Sequence, residues 1–385
     1  MLWAGAMLSR RGFSVGIAVV AVSQLACEKD DPNEIKVGAF LSLSGADSTF
    51  GTDTREGIQL AVEETNAAGG VIGKRIRVIY EDDKSTTYEA VQKVRQLIDR
   101  NKVVALLGEV ASSRSLAGGL IANTSHVPMI TPSSTAVAVT KKRSWVFRTC
   151  FTDDQQGAIA ARFIKQHLKK DRVGIFFAAQ DPYSSGLARA FREETKRLAG
   201  VIVVEKGYQK GETNFRTYLS ELRAASPEAI FVPNYYNEMV LIARQASELG
   251  IPGGVFIGGD GWDSSNLVDG AGAELDGAHF TNHYAPDVPS ENARKFFTAF
   301  TAKYKHDPTS LSAQGYDAAM LLFDAIRRAG DAKPALIRDA LAATKDFKGA
   351  TGTMTMDEEH NANKPIVVVQ VKDKKIRYAT QLLAD

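Results

Sequence analysis

Short apolar runs alternate with longer amphipathic stretches along most of this chain of 385 residues. The runs have the length and the branched side chains typical of strands, and the stretches between them repeat apolar residues at helical spacing. This alternation predicts an α/β fold of βαβ units, with mainly parallel sheets flanked by helices. The predicted strands are Ile35–Leu43, Arg75–Tyr80, Val103–Leu107, Val127–Ile130, Arg172–Phe177, Val201–Glu205, Ala229–Pro233 and Gly254–Ile257, and the helices include Thr87–Arg100, Gln155–Leu168, Ser185–Leu198, Asn214–Ala224 and Asn237–Leu249.

One strand–loop–helix unit occurs twice. Val37–Leu43 leads into a loop rich in Ser, Gly and Thr and then into a helix, and Val173–Phe177 begins the same pattern again. Both helices end in a glycine followed by valine, at Gly70 and at Gly200. A chain that builds one unit twice is predicted to fold as two similar lobes with a cleft between them. Because ligands of open α/β sheets bind where strands end, both loops are candidate parts of a binding site.

The last third of the chain has a different character. Three helices with little strand between them, Glu291–Tyr304, Leu311–Ala329 and Pro334–Ala343, precede a predicted hairpin of Ile366–Val371 and Ile376–Ala379. Neither part forms a complete α/β domain, so the chain is expected to cross between the lobes more than once through a multi-strand hinge. We therefore predict an N-terminal lobe of residues 35–152 plus 283–350 and a C-terminal lobe of residues 153–282 plus 351–385.

The N-terminus has the layout of an export signal. Arg10 and Arg11 precede an apolar stretch, Val15–Ala26, that is too short to span a bilayer, so residues 1–26 are predicted to be a signal peptide. The pair of arginines fits either a twin-arginine signal or an ordinary basic region. Cys27 follows Leu25-Ala26 and resembles a bacterial lipoprotein cleavage site, although Gln24 departs from that motif. We expect a protein of the periplasm or cell envelope, lipidated at Cys27 and tethered by residues 27–34; cleavage beside an incidental cysteine is the alternative.

The composition and net charge of the chain indicate which classes of partner it can bind. Apolar residues make up 44% and charged residues 24% of the chain, which is typical of a soluble globular protein. Residues 1–26 contain two arginines and no acids, so their removal changes the formal net charge from +2 to zero. A neutral chain argues against nucleic acid as the main partner.

Catalytic and metal-binding signatures are absent from the sequence. It contains no phosphate-binding loop, no dinucleotide-binding glycine motif, no nucleophile elbow and no H-E-x-x-H motif. The six histidines are scattered, and His279 and His283 are predicted to be a solvated pair rather than metal ligands. We therefore expect no catalytic residue, no metal and no cofactor.

Small polar residues instead follow several predicted strands. Ser112 and Ser113 come after Val103–Leu107, and Ser133, Ser134 and Thr135 come after Val127–Ile130. Hydroxyl groups beside the free N–H groups of a helix start can bind a carboxylate, whereas ordinary helix capping is the alternative for each site alone. In the second half, Asp260 and Trp262 follow one strand and Tyr235 and Tyr236 another, while Phe50 and Tyr183 lie in the two repeated loops. An acid there can receive a cation, and the aromatic rings can enclose an apolar or cationic group.

Together these segments resemble the branched-chain amino-acid binding proteins of ABC transporters, which are type I periplasmic binding proteins. The resemblance runs from Ile35 to about Arg377. Its motifs are Leu43-Ser44-Gly45 with Phe50-Gly51, Asn66-Ala67-Ala68-Gly69-Gly70, Tyr80-Glu81-Asp82-Asp83, Gly108 with Ser112-Ser113, Thr131-Pro132-Ser133-Ser134-Thr135, Tyr183-Ser184-Ser185-Gly186 and Tyr235-Tyr236-Asn237-Glu238-Met239.

The resemblance implies ligand contacts at matching positions. Ser112, Ser133 and Thr135 would hold the carboxylate of an amino acid, and Asp260 would hold its ammonium group in place of the family's glutamate. Aromatic contacts would come from Phe50, Tyr183 and one of Tyr235 and Tyr236. The cysteines of the leucine-type disulfide are missing near Lys84 and Ala111, and Ser133 and Trp262 are larger than the small residues expected there.

The resemblance implies a monomer that captures an amino acid or related compound in the cleft and delivers it to a membrane permease. Three alternatives remain: a ligand-sensing receptor of the same fold, a protein that binds an aromatic or aliphatic acid, and an exported enzyme. The enzyme is disfavoured because no histidine lies near Ser112, Thr135 or Asp260 in the set of strand-end residues.

Overall fold

A computed structural model describes Met1 and residues 31–383. The predicted cleavage and lipidation site at Cys27, the signal peptide beyond Met1 and most of the tether lie outside the described residues. In the described part of the chain, no helix is long and apolar enough to cross a bilayer.

The first lobe is built on a sheet of five parallel strands. They are β1 (Glu34–Leu41), β2 (Arg75–Asp82), β3 (Ala105–Leu107), β4 (Met129–Thr131) and β5 (Val146–Arg148), in the order β2-β1-β3-β4-β5. Helices α1 (Ser48–Ala67), α2 (Thr87–Arg95) and α3 (Ser112–Thr124) connect successive strands. Side chains alternate along β1, so Ala39 and Leu41 pack in one core with α1 while Phe40 packs on the opposite face with α2 and α3.

The second lobe repeats this pattern. Its parallel strands are β6 (Arg172–Ala178), β7 (Val201–Tyr208), β8 (Ala229–Val232), β9 (Phe256–Gly258) and β10 (His279–Asn282). The associated helices are α4 (Asp153–Arg162), α5 (Pro182–Arg197), α6 (Arg216–Ala224), α7 (Tyr236–Glu248) and α8 (Ser265–Ala271).

The chain then returns to the first lobe. Helices α9 (Glu291–Tyr304), α10 (Ser310–Ala329) and α11 (Pro334–Ala342) precede a small antiparallel sheet of β11 (Phe347–Gly349), β12 (Gly352–Met356) and β13 (Ala362–Asn363). Helix α10 lies against α1 at two glycines. A Cβ atom on Gly57 would lie 1.8 Å from the Ser312 carbonyl oxygen, and one on Gly315 would lie 2.4 Å from that of Thr54. The close approach of these helices therefore requires glycine at both positions.

The C-terminal hairpin completes the second sheet. Strand β14 (Ile366–Lys372) pairs antiparallel with β10 and with β15 (Lys375–Leu382), which gives the order β15-β14-β10-β9-β8-β6-β7. The predicted hairpin is confirmed. The chain passes between the sheets after β5, after β10 and after β13. The predicted domain boundary at residues 350 and 351 falls in the hairpin of β11 and β12, whose Met356 packs in the core of the first lobe.

The predicted fold class, two similar lobes of mainly parallel sheet joined by a multi-strand hinge, is confirmed. Short elements were not predicted: β5, β10 and the three strands of the small sheet have only two to five residues each. Runs of that length carry too little hydrophobic periodicity to stand out from loops.

Candidate functional site

Residues that follow strands of both sheets line one small cavity between the lobes. The first lobe contributes Ser112 after β3 and Ser133 after β4, and the second contributes Tyr183 after β6 and Asp260 after β9. The cavity volume is about 10 Å³, which is room for roughly one water molecule. This space is too small for an amino acid, so a bound ligand would have to hold the lobes further apart than they are in this structure. The lining residues are Phe50, Val110, Ser112, Ser133, Tyr183, Tyr235, Asp260, Gly261 and Leu311.

Three aromatic rings from both lobes, those of Phe50, Tyr183 and Tyr235, line one wall of the cavity, and Tyr236 packs behind them. Phe50 contacts Tyr235 and Tyr236 edge-on, with ring centroids 5.4 Å and 5.1 Å apart. Tyr183 stacks on Tyr235 at 5.2 Å, and the Lys210 ammonium lies 4.6 Å from the centroid of the Tyr235 ring. All four rings are buried, so separation of the lobes would expose Phe50 together with its partners.

The carboxylate of Asp260 is held by three side chains. Its Oδ1 accepts hydrogen bonds from Gln156 at 2.8 Å and from the hydroxyl of Tyr183 at 2.9 Å. Its Oδ2 lies 3.0 Å from Nε2 of His283. Burial raises the pKa of Tyr183 well above its usual value, and the charge of Asp260 raises it further, so the hydroxyl remains a donor. The acid predicted to receive a ligand cation is therefore fixed in place.

His283 corrects two sequence predictions. It is not part of a solvated pair: its side chain is 1% exposed and stacks on Phe151, with centroids 3.8 Å apart. It also lies beside Asp260, although no histidine was predicted near the strand-end residues. Burial lowers the pKa of His283 to about 4, against the opposing effect of the hydrogen bond to Asp260. A neutral imidazole can donate from Nε2 to the Asp260 carboxylate.

Asp153 is a candidate site residue that sequence reasoning missed. It is 1% exposed and lies at the start of α4, where its backbone N–H donates to the Thr135 carbonyl oxygen at 2.9 Å. Neither carboxylate oxygen has a hydrogen bond of good geometry to a described residue, and the Thr135 hydroxyl is the nearest donor that acts on it. Burial raises the pKa of Asp153 well above its usual value, and the Asp260 charge raises it further, whereas the nearby Thr135 hydroxyl and Arg148 lower it. A cation placed here would stabilise the charged form of Asp153.

Other buried polar atoms near the cavity also lack partners among the described residues. They are Oγ1 of Thr135, Oε1 of Gln156, Nδ2 of Asn234 and the hydroxyl of Tyr235. A buried polar group without a hydrogen bond costs about 1–3 kcal/mol of folding free energy. A ligand that supplied hydrogen bonds to these atoms would therefore gain affinity from each one that it paired.

Two serine hydroxyls occupy the first-lobe side. Ser112 Oγ accepts from the backbone N–H of Ala136 at 3.2 Å, and Ser133 Oγ accepts from the Gln314 side-chain amide at 3.3 Å. Ser112 also begins α3, where the first N–H groups lack acceptors within the helix. This side of the cavity presents donors, which suits a carboxylate.

Four predicted site residues do not line the cavity. The Ser134 hydroxyl bonds to Ser115 and to the carbonyl oxygens of Glu109 and Val110, and so braces the loop. Thr135 is also absent from the cavity lining and lies beside Asp153.

The other two are aromatic residues of the second lobe. The Trp262 indole is fully buried and donates to Val232 and Asn234 within that lobe. Tyr236 instead joins the lobes at Thr49, with the hydroxyl groups 2.9 Å apart.

Comparisons with known proteins agree with the two-lobed fold. Residues 34–375 match the family described as periplasmic binding protein. The leucine-, isoleucine-, valine-, threonine- and alanine-binding protein of Pseudomonas aeruginosa is 28% identical over 344 residues, which are 89% of this chain and 91% of that protein.

Solved structures with similar folds include two binding proteins. The leucine binding protein LivK of Thermotoga maritima is 37% identical with a TM-score of 0.86, and the match covers 91% of this chain and 99% of that one. A benzoate-bound solute binding protein of an R. palustris ABC transporter is 25% identical with a TM-score of 0.81, and the match covers 91% and 98% of the two chains.

Proposed function

This chain belongs to the periplasmic binding protein family, and from that premise we propose that it captures an α-amino acid in the interlobe cavity for an ABC transporter. Family membership also implies an extracytoplasmic location. The ligand would enter when the lobes are apart and would be enclosed when they close. Relatives named for leucine and other branched-chain amino acids support this class of ligand.

The polarity of the cavity carries the proposal. Its first-lobe side presents the hydroxyl groups of Ser112 and Ser133, and its other side has the carboxylate of Asp260. Asp153 does not line the cavity, but it is buried close enough for the Asp260 charge to raise its pKa. An α-amino acid has a carboxylate at one end of a short unit and an ammonium group at the other. Such a ligand would pair both sides at once, and the rings of Phe50, Tyr183 and Tyr235 would enclose its side chain.

A benzoate-like acid is the second candidate. The stacked pair of Tyr183 and Tyr235 offers an aromatic surface, and a benzoate-bound structure is among the similar folds. Such a ligand would use the serine side of the cavity but would leave the buried carboxylate of Asp153 without a cation.

A ligand panel tests the two candidates. We expect leucine, isoleucine, valine or another neutral amino acid to raise the unfolding temperature, because a ligand that binds only the folded state stabilises it. Calorimetry with Asp153→Asn should then show amino-acid binding weakened by about tenfold or more. The exposed neighbour Asp154 provides a matched control, since Asp154→Asn changes the net charge equally. Binding of benzoate but of no amino acid would replace the first candidate by the second, and binding of neither would refute both.

The remaining parts of the proposal concern partners and anchoring. We infer that the protein works as a monomer, that its partner is a membrane permease, and that Cys27 carries a lipid. The family supports the permease, and the sequence around Cys27 supports the anchor.

A further inference from the structure

Lys364 is a buried cation in the segment through which the chain passes from the small sheet to the second lobe. The residue is 3% exposed and lies between β13 and β14. Its ammonium group donates to Oε1 of Gln314 at 2.9 Å and to Oγ1 of Thr351 at 2.7 Å. Thr351 donates in turn to the buried carboxylate of Asp317 at 2.6 Å, which partly balances the charge. Burying an ammonium group costs several kcal/mol of desolvation free energy, which suggests that a buried lysine near the cavity has a function.

The ammonium group fixes the orientation of the Gln314 amide. An ammonium group has only donors, so Gln314 must present its oxygen to Lys364. The amide nitrogen then faces Ser133 and donates to its hydroxyl oxygen. Ser133 thus accepts from the protein, and its own proton has no acceptor among the described residues. Because Ser133 lines the cavity, that proton is available to a ligand.

The Ser112 hydroxyl group also accepts a hydrogen bond from the protein and has its proton left for a ligand, but for a different reason. Its hydroxyl oxygen accepts from the backbone N–H of Ala136, a donor that cannot be reversed. Two hydroxyl groups of one cavity therefore both present protons. A carboxylate supplies two acceptors to such a pair, whereas a carboxamide supplies one acceptor and one group of donors.

We propose that Lys364 is a positioning residue that, through Gln314, holds Ser133 as a donor and so makes the cavity select carboxylates over carboxamides. The inference deepens the proposed function and rests on it, because it applies to the carboxylate that both candidate ligands share. Lys364 itself does not line the cavity.

The test compares two pairs of probes that differ only in this group: L-leucine with L-leucinamide, and benzoate with benzamide. Calorimetry would measure the affinity of the wild type, Lys364→Met and Gln314→Glu for each probe. Methionine removes the charge and frees the Gln314 amide to turn. A glutamate at position 314 still accepts from Lys364, but it has no donor for Ser133. Ser133 would then donate its proton to the glutamate instead of to a ligand. We expect the preference for carboxylate over carboxamide to fall by about tenfold or more in both variants.

Thr351→Val is the matched control. It removes the other acceptor of Lys364 but leaves Gln314 and Ser133 in place, so the carboxylate preference should stay within about threefold of the wild type. If Lys364→Met does not fold, the nearly isosteric Gln314→Glu decides the question.

Two results would overturn the inference. An unchanged carboxylate preference in the folded variants would show that Lys364 does not set the polarity of Ser133. An equal loss of affinity for acid and amide would assign Lys364 a purely structural role. In either case wild-type binding of leucine would leave the proposed function intact, and binding of benzoate alone would leave the second candidate. Failure of the wild type to bind either acid would remove the basis of the inference and of both candidates.

Discussion

The hydroxyl group of Thr49 lies 2.9 Å from that of Tyr236, and this contact joins the first lobe to the second at the edge of the cavity. Asn266 donates to the same threonine at 2.8 Å, and Tyr236 also lies 3.2 Å from the carbonyl oxygen of Ala46. These contacts are made directly between the lobes. They therefore contribute to the free energy of closure whichever ligand is enclosed.

Removing this interlobe contact should favour the open form. Tyr236→Phe deletes only the hydroxyl, so we expect a larger radius of gyration without added ligand and affinity for the bound amino acid lowered about three- to tenfold. Solution scattering and calorimetry would measure the two effects. Tyr218→Phe is the control, because the Tyr218 hydroxyl lies 3.5 Å from Glu212 within the second lobe. Unchanged scattering and affinity in Tyr236→Phe would show that this contact does not govern closure.

Replacing Asp260 should weaken recognition of the ammonium group of the ligand and leave recognition of its carboxylate unchanged. An asparagine at this position could still accept from Gln156 and Tyr183, but the negative charge would be gone. A charge-assisted hydrogen bond contributes about 1.5–3 kcal/mol, so Asp260→Asn should weaken amino-acid binding about ten- to a hundredfold. Carboxylates without an amino group should gain relative to amino acids.

The exposed Asp269 in α8 provides the charge-matched control, Asp269→Asn, for which no change in affinity is expected. Calorimetry with leucine and benzoate would give both affinities. If Asp260→Asn binds leucine as tightly as the wild type, Asp260 does not receive the ammonium group.

Much of the fold can be predicted from sequence patterns. Contacts between site residues that are distant in sequence cannot. Apolar strands and Gly-ended helices are local features, so the two lobes and the C-terminal hairpin were predictable. His283 was not, because it reaches Asp260 through the pairing of β10 with β9, in which Phe280 lies opposite Gly258. Strand register of this kind depends on tertiary packing.

Asp153 was missed for a different reason. Thr152 and Gln155 form a capping box at the start of α4, and acids in a first helical turn are common there because they favour the helix dipole. The capping pattern is therefore sufficient to account for an acid at position 153. It gives no indication that Asp153 is buried beside Thr135. Trp262 also follows a strand, but its indole is buried in the second lobe and bonds to Val232 and Asn234, so its contact with a ligand stays a prediction.

If Cys27 is lipidated, the protein should be attached to the membrane through the sulfur atom of this residue. Cys27→Ser removes the sulfur that would carry the lipid, so the variant should leave the membrane fraction or accumulate as uncleaved precursor. Fractionation with immunoblotting would measure this distribution. Ser23→Ala, within the same apolar stretch, is the control and should stay with the membrane. A wild type found entirely in the soluble periplasmic fraction would contradict the anchor without contradicting export.

His283 should make the protein less stable in mild acid. Its pKa is about 4 in the folded protein and 6.5 in an unfolded chain, so between these values the unfolded state binds the extra proton. Stability is therefore lost as the pH falls from 6.5 towards 4, by about 2 kcal/mol at pH 5. His283→Gln keeps an amide donor near Asp260 but cannot titrate. Urea unfolding of both proteins at pH 7 and at pH 5 should show the difference between their unfolding free energies shifting by about 2 kcal/mol in favour of the variant. A constant difference across that range would mean that His283 is protonated in the folded protein as readily as in the unfolded chain.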